Sequence, residues 1–128
     1  MYPNTRLKKE WIQEATVDDT VEWAKSFGKF LVEKKGNKDP LTTSQIRKFF
    51  GELKRIQAAP AKNQEDIPLL KAKLAYAVGR HKNSKIKEFH EELEKGINFI
   101  RPNNEKDLFR FINIVESIVA YHKFYGGK

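Results

Sequence analysis

The stretch LTTSQIRKFFGELKRI, residues 41–56, predicts a helix with one apolar side and one basic side. Thr42 followed three residues later by Gln45 is the pattern of a capping box, in which each side chain satisfies a backbone N–H at the helix start. The apolar positions recur at the spacing of one helical face. They are Ile46, Phe49, Phe50, Leu53 and Ile56. Four cations lie on the opposite side, at Arg47, Lys48, Lys54 and Arg55. The apolar side is suited to packing in a core, and the basic side to contact with water or with an anionic ligand.

Composition places this helix in a globular domain. The chain has 128 residues, of which 39% are hydrophobic and 12% aromatic, and this supports one modest core. No apolar run approaches the roughly 18 residues needed to span a bilayer, and the N-terminus does not resemble a secretory signal. There is no cysteine, which excludes disulfides and thiolate metal sites. We therefore expect a cytoplasmic protein with no membrane contact.

Apolar residues at helical spacing predict four further helices, and no strand is predicted. We expect an all-α fold, a compact bundle of about five helices that forms a single domain over residues 1–128. The predicted helices cover about residues 18–35, 42–59, 67–82, 85–100 and 103–125. Residues 1–17 are expected to be a poorly ordered lead-in, and residues 58–66 a mobile loop.

The net charge of +8 is concentrated in the middle of the chain. Residues 42–87 contain eleven Lys or Arg and three Asp or Glu, so this segment carries the whole excess. Such segregation favours a polyanionic partner, and nucleic acid is the first candidate. The candidate nucleic-acid-binding residues, which lie on the two predicted helices and at the end of the second, are Arg47, Lys48, Lys54, Arg55, Lys71, Lys73, Arg80 and Lys82. A solvated helix face is the alternative, although such faces usually carry both signs of charge.

Backbone contacts are the expected mode of recognition, because base stacking needs exposed aromatic side chains. Phe49 and Phe50 belong to the apolar stripe, which leaves Tyr76 as the one aromatic near the basic positions that is expected to be free.

Catalysis and metal binding are not expected. His81, His90 and His122 fall on three different predicted helices, and no two of them have metal-ligand spacing. The sequence HEELE at residues 90–94 has Glu94 where the zinc-protease motif HExxH requires its second histidine. His81 and His122 are expected at the edge of the core or on its rim. We therefore predict no enzyme activity and no cofactor.

Two other classes of function stay open. A helical protein-interaction module could use the basic face to bind an acidic protein. A non-specific double-stranded DNA-binding protein is the other, although residues 58–68 form a connection longer than a helix-turn-helix turn. The last predicted helix is also unusually apolar near its end, which would suit a homodimer of the isolated chain.

Three segments carry a resemblance to a known family. LTTSQIRKFFGELKRIQ (residues 41–57), LLKAKLAYAVGR (residues 69–80) and FINIVESIVAYHKFYGGK (residues 111–128) resemble the small subunit of type III-A CRISPR–Cas Csm effector complexes. The resemblance covers about residues 39–128. Four of the candidate cations fall in the first segment and Lys71, Lys73 and Arg80 in the second.

The resemblance implies a helical subunit with no catalytic site of its own. It implies that several copies stack in a filament beside the backbone subunits and the large subunit, and that basic residues touch guide RNA and target RNA. It also implies that cleavage and cyclic oligoadenylate synthesis belong to those other subunits.

Overall fold

The structure is a computed structural model that describes residue 3 and residues 6–14, 17–34 and 38–128. In these ranges it contains helices and no extended strand, which confirms the predicted all-α fold. The helices are α1 (Lys9–Gln13), α2 (Val17–Val32), α3 (Thr43–Ala58), α4 (Asp66–Arg80), α5 (Ile86–Phe99) and α6 (Glu105–Phe124). The five predicted helices correspond to α2–α6. The predicted end of the first, at residue 35, lies outside the described residues.

The long helix α6 is the centre of the bundle. It packs most extensively on α2 and also contacts α1, α3 and α5, while α4 packs mainly on α5. Phe111, Val115 and Ile118 of α6 are fully buried. At Gly28 of α2 an added Cβ would lie 2.9 Å from Cβ of Tyr121, so the two helices approach too closely for a larger residue. The core therefore forms around the contact of α2 with α6.

Helix α3 forms as its sequence predicts. The hydroxyl of Thr42 accepts a hydrogen bond from the backbone N–H of Gln45 (3.2 Å), and the side-chain oxygen of Gln45 accepts one from the N–H of Thr42 (2.9 Å), so the predicted capping box is confirmed. The stripe residues Ile46, Phe49, Leu53 and Ile56 are buried and Phe50 is half-buried. Each such side chain contributes about 1.5–3 kcal/mol through the apolar surface it removes from water.

The short helix α1 is the sixth helix, which the sequence did not predict. Its Trp11 and Ile12 are buried, and it packs on α5 and α6. The segment before α1 is held by Glu92 of α5, whose buried carboxylate accepts a hydrogen bond from the N–H of Leu7 at 3.0 Å. The expected mobility of residues 1–17 and of residues 58–66 stays a prediction.

A buried lysine joins the end of α2 to the start of α5. Lys85 is fully enclosed, and its ammonium donates to the backbone oxygen of Phe30 (2.5 Å) and to that of Glu33. The ammonium also lies 4.1 Å from the centroid of the Phe30 ring. Beside it the backbone of Asp39 receives the N–H of Lys85 (3.0 Å) and donates to the oxygen of Asn83 (2.6 Å). The chain around residue 39 is thus attached to the turn that precedes α5.

The end of α6 is closed by two glycines. Gly126 has φ of +89°, a left-handed conformation that glycine adopts without strain. Its N–H donates to the oxygen of Lys123 and that of Gly127 to the oxygen of His122, the hydrogen-bond pair of a Schellman motif. Gly127 is buried against the ring of His122, where any Cβ would collide. Gly126 is therefore favoured at this helix end by its backbone conformation, and Gly127 by its close contact with His122.

Candidate nucleic-acid interface

The eight candidate cations form what we call the basic face, defined as Arg47, Lys48, Lys54 and Arg55 on α3 with Lys71, Lys73, Arg80 and Lys82 on α4 and the turn after it. Seven of them are exposed and Lys71 is half-buried. Neighbouring helices α3 and α4 carry this face, and their opposite sides are buried in the core. Long cationic side chains on a rigid helical support are what phosphate contacts require.

The cations of α3 lie in two rows. At 100° per residue, Arg47 and Lys54 are nearly in line with each other, as are Lys48 and Arg55. Lys48 lines a cleft between α3 and α4, together with Lys73 and Arg80. Lys48 of the second row and two cations of α4 therefore border the same cleft, whereas Arg47, Lys54 and Arg55 do not line it.

Arg55 and Lys73 are already engaged by carboxylates. One oxygen of Glu52 lies 3.0 Å from a guanidinium nitrogen of Arg55 and 3.0 Å from the ammonium of Lys73, and Asp66 lies 3.1 Å from Arg55. The hydrogen bond from Lys73, followed by that from Arg55, holds the pKa of Glu52 below its usual value. The hydrogen bonds from Glu52 and then Asp66 raise the pKa of Arg55. The ion pairs of Arg55 with Asp66 and of Lys73 with Glu52 join α3 to α4. They neutralise part of the charge of the two cations.

Lys54 and Lys71 have neutral partners. The ammonium of Lys54 donates to the side chain of Gln57 (3.0 Å) and lies 5.6 Å from the ring centroid of Phe50. Lys71 donates to Asn98 of α5 (2.9 Å), and so it turns away from α3. Among the described residues no carboxylate pairs with either lysine, and Lys71 contacts α5 rather than the other cations.

The cations with the fewest internal contacts are Arg47, Lys48, Arg80 and Lys82. Within the ranges that the structure describes, none of these four has an ion-pair partner. The guanidinium carbon of Arg80 lies 5.8 Å from the centroid of the Tyr76 ring. The charge of these four residues is available to a ligand. The sequence pattern could not distinguish them from the cations that form ion pairs.

Lys85 and the three histidines are not part of the basic face. Lys85, which contributes to the charge excess of residues 42–87, is buried and adds nothing to the surface. His81 is exposed, whereas His122 is fully buried and not at the edge or rim of the core; its Nε2–H donates to the oxygen of Leu41 at 2.6 Å. His90 Nε2 lies 2.8 Å from Glu94. Among the described residues, no group of three or more His, Asp or Glu side chains could hold a metal ion.

None of the described helices is long and apolar enough to cross a membrane.

The fold and this surface define a class, that of small all-α proteins with a basic helical face. The model of the Csm2 Type III-A family matches residues 14–128, and the chain belongs to this family. The chain is therefore a small subunit of the type III-A Csm complex. The resemblance found in the sequence is confirmed, and the match begins some 25 residues earlier than the motifs indicated. Comparisons with curated proteins and with solved structures found no match.

Proposed function

We propose that this small subunit contacts the backbones of guide RNA and target RNA through the basic face. The observation that carries the proposal is that α3 and α4 bring Lys48, Lys73 and Arg80 to one cleft, in a chain of the Csm2 family. The role is non-catalytic, since the subunit would stabilise the paired strands by neutralising phosphates. It would act in the cytoplasm, beside the backbone and large subunits of the complex.

Contacts between copies are a second part of the proposal. Phe124 at the end of α6 is 73% exposed, and its ring makes edge contacts with Tyr121 (6.3 Å between centroids) and Tyr125 (5.0 Å). An exposed aromatic cluster at a helix end is suited to burial against another protein. We propose that this cluster contributes to the stacking of copies in a filament and to a homodimer of the isolated chain.

The test of RNA binding is a triple charge reversal, Arg47→Glu, Lys48→Glu and Lys54→Glu. Arg55 is left unchanged, because a glutamate there would face Glu52 and Asp66. RNA binding by the variant should be lost at moderate salt, and any residual binding should have a log–log salt slope about three units smaller than that of the wild type. Binding is measured by fluorescence anisotropy with a guide–target RNA duplex over a series of salt concentrations.

The matched control reverses three exposed lysines outside residues 42–87, Lys9, Lys25 and Lys106. It removes the same charge from the whole molecule, so it should retain most of the affinity if the basic face is the site. Equal loss in both variants would mean that only net charge matters. A folded basic-face variant that binds as well as the wild type would refute the assignment.

Binding to double-stranded DNA is tested with the wild type, and binding to protein with the basic-face variant. If DNA displaces RNA from the wild type in direct competition, the DNA-binding alternative is favoured. If the basic-face variant binds RNA normally but no longer assembles with the other Csm subunits, the basic face is a protein-docking surface.

A further inference from the structure

The cleft between α3 and α4 is apolar although it lies within the basic face. Its volume is about 460 Å³, within the range of small-ligand sites. Its floor is formed by Phe49, Leu74, Ala77 and Ile86, three of which are core residues that close it from below. Phosphates alone would make no use of such an apolar depression, so the cleft is suited to a ligand with an apolar part.

Tyr76 stands at this cleft and has no role in the core. Its side chain is 67% exposed on α4, and it makes no hydrogen bond within the part of the chain that the structure describes. The guanidinium of Arg80 borders its ring at 5.8 Å. An exposed tyrosine with an arginine beside it is an arrangement that stacks planar rings, because a base can lie on the aromatic face while the cation attracts its phosphate.

The rim carries charge of one sign on both sides. Lys48 approaches the cleft from α3 and Arg80 from α4, and neither has a carboxylate partner among the described residues. Glu52 also lines the cleft, but Lys73 and Arg55 neutralise it. A ligand with an apolar planar body between anionic groups fits this rim better than one with separate apolar and anionic segments, since cations flank the apolar floor on two sides.

We propose that the cleft holds an unpaired base of single-stranded RNA, stacked on Tyr76, with the adjoining phosphates on Lys48 and Arg80. This inference rests on the proposed RNA-binding function and changes the expected mode of recognition. The sequence indicated contacts to the backbone alone, whereas the cleft adds a contact to the base. Because every base has a stacking face, the contact tolerates any sequence.

The test compares oligouridine with an abasic ribose-phosphate strand of the same length, which keeps the phosphates and lacks the bases. The full chain should bind oligouridine about 5- to 150-fold more tightly, the range expected for stacking of one base. Tyr76→Ala should remove this difference and leave the affinity for the abasic strand unchanged. Tyr76→Trp, which keeps an aromatic surface for stacking, should retain the difference in affinity between the two strands. That result would exclude a general effect on folding.

Leu69→Ala is the control, because Leu69 is another large exposed residue of α4 and does not line the cleft. It should bind both strands as the wild type does. A second readout is the fluorescence of 2-aminopurine placed in the oligouridine, which stacking should quench in the wild type and not in Tyr76→Ala.

The possible failures are distinguishable. If the wild type binds the guide–target duplex but neither single strand, the proposed RNA-binding function stands and the base site is refuted; if it does not bind the duplex either, both fall. If both strands bind equally, or if Tyr76→Ala leaves oligouridine binding unchanged, RNA binding stands and the base site is refuted. If an acidic peptide with apolar anchors binds and Tyr76→Ala weakens the peptide alone, the cleft is a protein-docking groove.

Discussion

Asp107 is a buried carboxylate that organises the start of α6. It accepts hydrogen bonds from Nε of Arg101 (2.8 Å), from Nη2 of Arg101 (2.9 Å) and from the backbone N–H of Arg101 (3.0 Å). The hydrogen bond from the Arg101 side chain, the largest cause, holds the pKa of Asp107 below its usual value. A carboxylate of this kind stabilises the fold above the pKa of the unfolded chain, about 3.9, and this contribution is lost as the pH falls through the folded pKa.

Asp107→Asn should therefore lower the free energy of unfolding at pH 7 by about 1–2 kcal/mol, a value discounted because the Arg101 side chain is half-exposed. The difference from the wild type should narrow as the pH falls below about 4. Urea unfolding at a series of pH values measures both effects. Glu116→Gln, at an exposed position of α6, should show neither. A difference that stayed constant down to pH 2 would contradict the role given to the carboxylate.

Lys85 illustrates at the same scale why part of the structure could not be predicted. Its sequence position, just before a helix in a run of cations, is typical of an exposed lysine. Its burial depends on the carbonyl oxygens of Phe30 and Glu33, which lie more than 50 residues away in the chain. No local pattern records such a partner, so only the packed structure separates this lysine from the basic face.

At the scale of elements, long amphipathic helices were predicted well. For α3 the capping box and the apolar stripe together set both the start and the buried side. Helix α1 was missed because five residues are too few for a periodic pattern, and because its position depends on α5 and α6. Helix identity is thus a local property here, while helix placement is not.

Two glycines in helices should respond in opposite ways to the same substitution. Gly28→Ala places a Cβ 2.9 Å from Tyr121 Cβ and 3.0 Å from the backbone nitrogen of His122, so it should destabilise the protein by about 1–3 kcal/mol. Gly51→Ala, at an exposed position of α3, adds a Cβ that meets nothing within 4 Å, so it should stabilise the protein by about 0.5–1 kcal/mol through reduced backbone entropy. Urea unfolding measures both, and shifts of equal sign would contradict the close approach of α2 to α6.

For the whole molecule, the distribution of charge was predicted more fully than its geometry. The excess of cations in residues 42–87 does identify the helices that form the basic face. Its division into ion-paired and available cations depends on how α3 and α4 lie beside each other, as the sharing of Glu52 by Arg55 and Lys73 demonstrates. The cleft between them has no sequence signal for the same reason.

Self-association is the prediction that belongs to this scale. The isolated chain of 15.0 kDa should gain apparent mass as its concentration rises, because burying Phe124 removes apolar surface from water. Phe124→Asp should hold the mass near that of a monomer, and Leu69→Asp, at the exposed leucine of α4, should not. Multi-angle light scattering over a range of concentrations measures this. A wild type that stays monomeric throughout would refute the contact between copies.

The pairing of α2 with α6 also has a consequence for how the protein is made. The ribosome adds residues 33–104 after α2 is complete and before the first residue of α6. At about 5–20 residues per second this interval lasts roughly 4–14 s, during which the apolar face of α2 lacks its main partner helix. The bundle therefore closes late in synthesis, and translation that stops before residue 105 would release a chain unable to form this core.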